Sequence, residues 1–598
     1  MDRKTYLELF VVSAVLLYME LAAIRFFGST VMFLTFFTNI ILLACFLGMS
    51  LGCLGAHRKQ NYMNWTIPLL LLTCLATLGL SVAYVFDPHF FIDVGNQRSP
   101  QFVFFGAEHR DRSIADFVIP IELIGGAYFV LIALTFIGPG QVMGRAFNAI
   151  ANPVLGYTAN IAGSLFGILL FVLTSYFHLP PLIWFSACLL PCFYWINRFK
   201  PLQVICLLPI LLLMAFANFH NPAIEVYWSP YYQIVYLPKR KDIFTNNLSH
   251  QEMHEVVHSF SFYALPYLLK SSVEGVSSPF RDVLIIGAGS GNDVASALDH
   301  EAAHVDAVEI DPVIAQLGRR AHPDKPFADP RVSLHLDDGR NFVRRCAKQY
   351  DLAVYALVDS LVLHSGFSNL RLESYLFTKQ ALESIKERLK PGGIFVMYNY
   401  YRQDWIAARL AAMAKEVFGN EPLLLTLSDP KSPPSNEFDK ETVTFVLVSN
   451  GPSSALDAIH RKFKEGQFFW LNDDPSFNKT VDGFGEKAPA LSTGANDKGW
   501  TRVQQVKIPE LPSGSELPSD SWPFLYLKNR LIPDFNIRGM AVMAGLSLLL
   551  LFLFSPERKP KINGQMFFLG AAFMLLETKS VVHMALLFGS TWVVNSAV

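Results

Sequence analysis

Seven apolar runs follow one another in the first 218 residues, at about 7–27, 31–56, 65–86, 118–137, 153–177, 181–197 and 203–218. About 20 such residues cross the hydrocarbon of a bilayer as a helix, because a helix satisfies its backbone N–H and C=O groups within one segment. Charge follows the same division: only 20 of the 99 Asp, Glu, Lys and Arg residues lie in these 218 positions. A polar stretch runs from about 219 to 537, and two more apolar runs follow at about 538–554 and 565–598. The last stops at "WVVNSAV" with no polar flank, as expected of a bundle that continues. The first run is long enough to be a span, so no cleavable signal is needed. A chain of 598 residues exceeds one ordinary domain, and a net charge of −1 gives no sign of nucleic-acid binding. Of seven cysteines, six lie in or beside apolar runs, with no disulfide framework and no Cys/His metal spacing.

The polar stretch has a different grammar. "SPYYQIVYLPKRKDIFTNN" (229–247) reads as a β-hairpin about the charged turn "KRKD", and "HQEMHEVVHSFSFYALPYLL" as a helix. "DVLIIG" is a continuous apolar run, as in a strand buried on both faces, and "GNDVASALDH" is helical. "HVDAVEID", "RVSLHLDDG" and "YDLAVYALVD" supply further strands. "SYLFTKQALESIKERLK" is a helix that stops at "PGG", and "IFVMYNY" is a fifth strand. Such alternation predicts a parallel sheet wound on both sides, with its ligand at the carboxyl ends of the strands. The expected divisions are 1–218, a hairpin and helix over 219–275, the wound domain over 276–450, an accessory connector over 451–537, and 538–598.

"GAGSG" after the first strand is the chemical centre. Gly287, Gly289 and Gly291 let the backbone turn tightly and approach a ligand. The following helix offers free N–H groups to an anion. Glu309 ends the second strand, where an acid can take both hydroxyls of a ribose, and Asp338 ends the third, placed to accept from an adenine amino group. NAD sites carry their third glycine one position later, where this chain has Asn292. With "DDG" after strand three, the pattern favours S-adenosylmethionine or a relative.

These residues resemble the spermidine synthase family, aminopropyltransferases of the methyltransferase fold. The likeness runs from Tyr231 to about Tyr400 through "SPYYQ", "SHQEM", "VLIIGAGSGND", "VEIDPVI", "DPRVSLHLDDGRNF", "YDLAVYALVDS" and "LKPGGI". "YMELAAIRFFGST", "GYTANIAGSLFG" and "SWPFLYL" resemble membrane-embedded, transporter-like members. The resemblance implies a Rossmann-like class I methyltransferase fold joined to a multi-pass helical membrane domain, with S-adenosylmethionine or its decarboxylated form as cofactor. Gln233 and Gln251 (or His250, where the match slips by one) would contact the nucleoside or the amine, Glu309 the ribose, and Asp338 and Gly339 the adenine. Asp359 matches the second acid of the family's DxxD element and is the expected catalytic base or cation partner. The first acid of that element falls at Ala356, and the loop acid that holds the aminopropyl amine falls at Ser290. An attacking amine must shed a proton and a desolvated cation must be paired, so these two departures weaken the amine half of the site. His364, Arg371, Tyr375 and Tyr398 are further residues able to border the mouth.

Glu20, Arg25, Glu122, Glu577, Lys579 and His583 are ionisable groups inside apolar runs. "LLYMELAAIRFFGST" and "FMLLETKSVVHMALLFGST" echo each other, as duplicated halves of a transporter can. "GMSLG" and "GSLFG" are small-xxx-small patterns for close helix packing. Basic loops at 2–4, 57–59, 145, 197–200 and 557–561 fall on one side of seven spans and put the polar domain opposite. The expected ligand belongs to the cytoplasm, and a cytoplasmic domain is the reading adopted. Two functions are in view: a methyl or aminopropyl transferase at the membrane, and a nucleoside-sensing module without chemistry on a transporter-like bundle. Expected partners are the lipid bilayer and a small molecule such as an amine, with no nucleic acid; a homo-oligomer is compatible.

Overall fold

The computed structural model describes residues 2–31, 34, 38–87, 89–93, 117–198, 200–218, 220–256, 261–273, 279–358, 375–401, 403–429, 435, 442–473, 478, 483–488, 499–527, 530, 532, 534–554 and 563–589. The N-terminal third is a bundle of α1 (Asp2–Thr30), α2 (Thr38–Leu54), α3 (Met63–Phe86), α4 (Ile121–Asn148), α5 (Pro153–Tyr176), α6 (Pro181–Cys192) and α7 (Lys200–Phe216). Strands β1 (Phe90–Asp93) and β2 (Phe117–Pro120) pair in parallel between α3 and α4. Five helices of the described chain are long and apolar enough to cross a membrane: Arg3–Thr30, Met63–Tyr84, Ile121–Asn148, Pro153–Tyr176 and Ile537–Phe554. Asn39–Leu54, Pro181–Cys192, Lys200–Phe216 and Gly564–Leu576 are apolar but shorter. Large side chains such as Leu165, Leu169, Leu212 and Phe552 point outward, more than half exposed.

Glycine sets the helix contacts. A Cβ on Gly163 or Gly167 of α5 would collide with the backbone of α1 at Phe10 and Ala14, and one on Gly48 or Gly52 of α2 with the backbone of α4. Both expected small-residue pairs are therefore contact surfaces. Arg25 lies five residues after Glu20 and does not pair with it; its Nη1 donates to Ser175 Oγ at 2.6 Å, and its guanidinium lies 4.8 Å from the Trp184 ring centre.

A four-stranded antiparallel sheet follows, in order β3 (Glu225–Trp228), β4 (Gln233–Leu237), β5 (Asp242–Thr245) and β6 (Leu248–Glu252). The hairpin about "KRKD" is β4–β5. The helix expected from His250 is not continuous. Asn246 and Asn247, with φ of 49° and 66°, turn the chain back so that Gln251 and Glu252 pair with β5, with His250 at a register shift between them and Ser249. A 3-10 turn, Ser261–Ala264, leads into α8 (Leu265–Ser271), and Pro266 in its first turn marks where the helix can begin.

The wound domain is built from β7 (Asp282–Ile286), α9 (Asn292–Asp299), β8 (His304–Glu309), α10 (Pro312–Ala321), β9 (Val332–Leu336), α11 (Gly339–Arg345), β10 (Tyr350–Ala356), α12 (Lys379–Glu387), β11 (Leu389–Asn399) and α13 (Asp404–Phe418). Then come β12 (Leu423–Ser428), β13 (Thr444–Ser449), α14 (Ser454–Lys464), β14 (Phe468–Asn472), β15 (Phe484–Gly485) and β16 (Trp500–Gln505). These form one ten-stranded sheet, ordered β15-β14-β16-β12-β13-β11-β10-β7-β8-β9. Strands β7 to β11 are parallel as expected, but β13 lies antiparallel between β11 and β12, and β14 to β16 extend the sheet antiparallel. The sheet is mixed, and β14, β15 and β16, from the stretch 451–537 expected as a connector, build its far edge. Helix α12 starts later than expected because Thr378 caps it, accepting from Ala381 N. Strand β11 starts before "PGG", which is accommodated where the β10–β11 register shifts. Cys346 lies just past the end of α11 and contacts the Tyr350 hydroxyl at 3.2 Å.

The return to the apolar helices α15 (Asp534–Phe554) and α16 (Gly564–Phe588) is pinned by two arginines. Arg409, fully buried, donates to the Leu525 and Leu527 carbonyls at 2.6 and 2.7 Å. Arg340 grips Asp520 with both Nη atoms, at 2.7 and 2.5 Å. The two halves also meet at Trp228, which packs edge-on to Trp184 with ring centres 5.1 Å apart.

Gly163→Leu should lower the stability of the detergent-solubilised chain by about 2 kcal/mol or more, because the α1 backbone cannot move away from one side chain alone. Gly79→Ala, with nothing within 4 Å of the added Cβ, should be neutral or mildly stabilising. Thermal midpoints of the two variants check the contrast.

Candidate active site

The carboxyl ends of β7, β8 and β10 and the turn after β9 open into one pocket, lined among others by Gly287, Gly289, Glu309, Asp338, Gly339 and Ala356. The Val308 carbonyl accepts the N–H groups of Gly287 and Ala288, both at 3.0 Å, and so starts the turn. Gly289 has φ of +54°, and a Cβ there would lie 2.6 Å from Gln251 Oε1. The left-handed backbone favours glycine at that position, and a side chain there would displace the Gln251 amide.

Glu309 is 7% exposed. Its Oε2 accepts from Gly289 N and its Oε1 from Asp311 N, both at 2.8 Å. Burial nevertheless raises its carboxyl to about 7. Each oxygen keeps acceptor capacity for a ligand hydroxyl, which is what adjacent ribose hydroxyls require. Asp311 caps α10, accepting from Val313 N and Ile314 N at 2.8 and 3.2 Å, and its second oxygen accepts from Ser229 Oγ at 2.5 Å. Asp338 caps α11 through Asn341 N at 2.8 Å. Ile286, Ile310 and Leu376 add apolar wall to the same pocket, suited to a flat base.

His250 and Gln251 both line the pocket, so the slipped match needs no choice between them. Burial pushes His250 down to about 4, leaving a neutral imidazole near pH 7. Gln233 does not line it: Gln233 N donates to Asn246 Oδ1 at 3.0 Å, and the neighbouring Tyr232 lines the pocket instead. Ser290 and Gly291 are also off the lining. Ser290 is fully buried, its N and Oγ donating to Gln251 Oε1 at 3.0 and 2.8 Å, and a Cβ on Gly291 would meet Pro326 at 2.7 Å. Asp359, His364 and Arg371 lie outside the described residues. Tyr375 is buried and gives its carbonyl to Arg340, while Leu376 takes the lining place.

Asp293 is the residue that the sequence reading missed. It sits in the first turn of α9, is 9% exposed and lines the pocket with Asn292 and Tyr263. The Tyr398 hydroxyl, brought from β11, donates to Asp293 Oδ1. Burial raises this carboxyl to about 7. Its sequence context shows only an acid among small and apolar helix residues; the partner comes from 105 positions away. Leu357, at the end of β10, lines the pocket with φ of +46°, a left-handed conformation rare for such a side chain.

A raised carboxyl pKa means that the folded state holds a proton that the unfolded state has lost. Asp293 therefore contributes stability present below about pH 4 and lost as pH rises through about 7. Asp293→Asn should remove that loss. Relative to the parent chain, the variant should gain about 1–3 kcal/mol on going from about pH 5 to pH 8, measured as thermal midpoints across that window.

Residues 269–418 match the family model "Spermine/spermidine synthase domain". The polyamine aminopropyltransferase of Pectobacterium carotovorum subsp. carotovorum is 34% identical over 131 residues, which is 21% of this chain and 42% of that protein. That of Nitrosomonas europaea is 32% identical over 146 residues, 23% of this chain and 42% of that protein. A spermidine synthase structure in complex with the transition-state analogue AdoDATO shares 16% identity with a TM-score of 0.29, covering 40% of this chain and 74% of that one. The chain spans less than half the length of these two aminopropyltransferases. The family-model match ends at 418, within the wound domain, and about a quarter of this chain, from α8 through α13, is the part that resembles a spermine/spermidine synthase.

Proposed function

We propose that the chain is a membrane-bound transferase that binds decarboxylated S-adenosylmethionine, or S-adenosylmethionine itself, and passes an aminopropyl or methyl group to a small nucleophile such as an amine. The observation that carries the reading is Glu309, buried at the strand ends and locked to the glycine loop beside Asp338 and Gly339. In aminopropyl transfer the acceptor's lone pair forms a bond to the methylene carbon beside the sulfonium. The carbon–sulfur bond breaks, its electrons return to sulfur, and methylthioadenosine leaves; the new ammonium then sheds a proton. The protein's part is alignment and charge complementarity. The outward apolar side chains and the five long apolar helices support a bilayer location.

Full-length protein in detergent should bind the decarboxylated ligand in calorimetric titration and release methylthioadenosine when an amine is added. Glu309→Ala should weaken nucleoside binding about 100-fold, since two charge-assisted hydrogen bonds are lost. Stronger binding of NAD than of either sulfonium ligand sinks the reading. The second reading, a nucleoside sensor without chemistry, is favoured by Ala356 at an acid position and by the Ser229–Asp311 bond joining the pocket's frame to the strand next to the bundle. Binding without turnover selects it. A reporter fused after Asn221 should be active in the cytoplasm; activity only outside reverses the proposed sidedness.

A further inference from the structure

The strand order divides the pocket. Glu309 and Asp338 stand at the β8 and β9 side of β7, and Ala356 at the β10 side, with β11 next. Ala356 and Tyr398 are register partners on β10 and β11, so their side chains share one sheet face. Both belong to the apolar cluster that also holds Val294 and Ala297 of α9. Tyr398 meets Asp293 on that face. A carboxyl from α9 thus stands on the same side of the pocket as the position where an expected acid has become alanine.

We infer that Asp293, held by Tyr398, is the anion of a primary-ammonium subsite in this pocket, in place of acids at 290 and 356. The inference rests on the nucleoside-pocket reading above. The surroundings suit a cation. The Tyr263 ring lines the pocket beside Asp293, and Phe262 and Tyr398 pack around it with ring centres 4.4 and 6.4 Å from Tyr263. His250 is neutral and so does not compete. Among the described residues no Lys, Arg or His forms an ion pair with Asp293, and the Tyr398 hydroxyl is its one side-chain donor. A carboxyl raised by burial with no resident cation gains most from a cationic ligand end. Ser290 supplies no charge and is fully buried, off the pocket lining.

Two ligands carry such an ammonium: the aminopropyl tail of the sulfonium nucleoside, and a diamine acceptor. Full-length protein in detergent is titrated with decarboxylated S-adenosylmethionine, with methylthioadenosine, which lacks the ammonium, and with butane-1,4-diamine after saturation with methylthioadenosine. Asp293→Asn should leave methylthioadenosine affinity within about twofold, which also reports an intact pocket. A tenfold or greater loss for the decarboxylated ligand assigns the subsite to the nucleoside's own tail. The same loss for the diamine assigns it to the acceptor. Unchanged affinities for both overturn the inference while the nucleoside pocket stands. Loss of methylthioadenosine along with the others also overturns it, as the effect is then not specific to the ammonium; Tyr398→Phe, which keeps the carboxyl, should retain the preference. Failure of the parent protein to bind methylthioadenosine overturns the nucleoside reading itself and this inference with it.

Discussion

A carboxylate removed from water must find donors, and in this protein that requirement organises the pocket around Glu309. Its two oxygens are taken by backbone N–H groups from opposite directions, Gly289 on the glycine loop and Asp311 at the start of α10. The loop and the helix start are thereby held at one spacing. Asp311 is itself buried and satisfied by the α10 N-terminus and by Ser229. Ser229 follows Trp228, whose ring is wedged between Trp184 and Phe26 of the helical bundle. One run of hydrogen bonds therefore links the acid at the pocket to a tryptophan packed among apolar helices. Truncating any member leaves a buried polar group unpaired, which is costlier than the bond itself.

The helical bundle follows a different rule. Where helices are apolar all round, burial of apolar surface does not choose between partners, and shape does. Gly163 and Gly167 bring α5 against the backbone of α1, and Gly48 and Gly52 bring α2 against α4. Arg25 is accommodated by Ser175 and the face of Trp184 rather than by Glu20. Both the bundle and the sheet are joined a second time through the chain after β16. There Arg409 and Arg340 hold the "SDSWPFLYL" segment by its backbone and by Asp520. That motif is fixed to the sheet domain just before the last apolar helices.

The two halves of the pocket have different characters. The half with Glu309, Asp338 and Gly339 is made of short-range devices: a glycine turn, a strand-end acid and a helix cap. The half near Ala356 depends on side chains from α9, β10, β11 and the 3-10 turn before α8. It holds the Asp293 carboxyl from α9 and the Tyr398 hydroxyl from β11.

Local signals were legible in the chain alone. The apolar runs marked the helices, and "DVLIIGAGSGND" marked a strand, a turn and a helix. The places of Gly287, Gly289, Glu309, Asp338 and Gly339 followed, since each depends on residues a few positions away or on the end of a strand. The small-residue pairs were legible for the same reason, because a helix repeats its face every turn. What stayed hidden was decided between distant segments. The Asn246–Asn247 turn converted an expected helix into β6, and β13 to β16 made the sheet mixed through antiparallel pairing that no local pattern encodes. Gln233 lies outside the pocket lining, which its neighbour Tyr232 joins instead. Asp293 became a pocket acid only when Tyr398 arrived from β11. The sequence by itself determined the apolar helices and the strand–turn–helix alternation from β7 to β11, because those follow from short-range periodicity and backbone chemistry. The tertiary structure alone decided which side chains face one another across the pocket, because that depends on strand order and on pairing over a hundred residues.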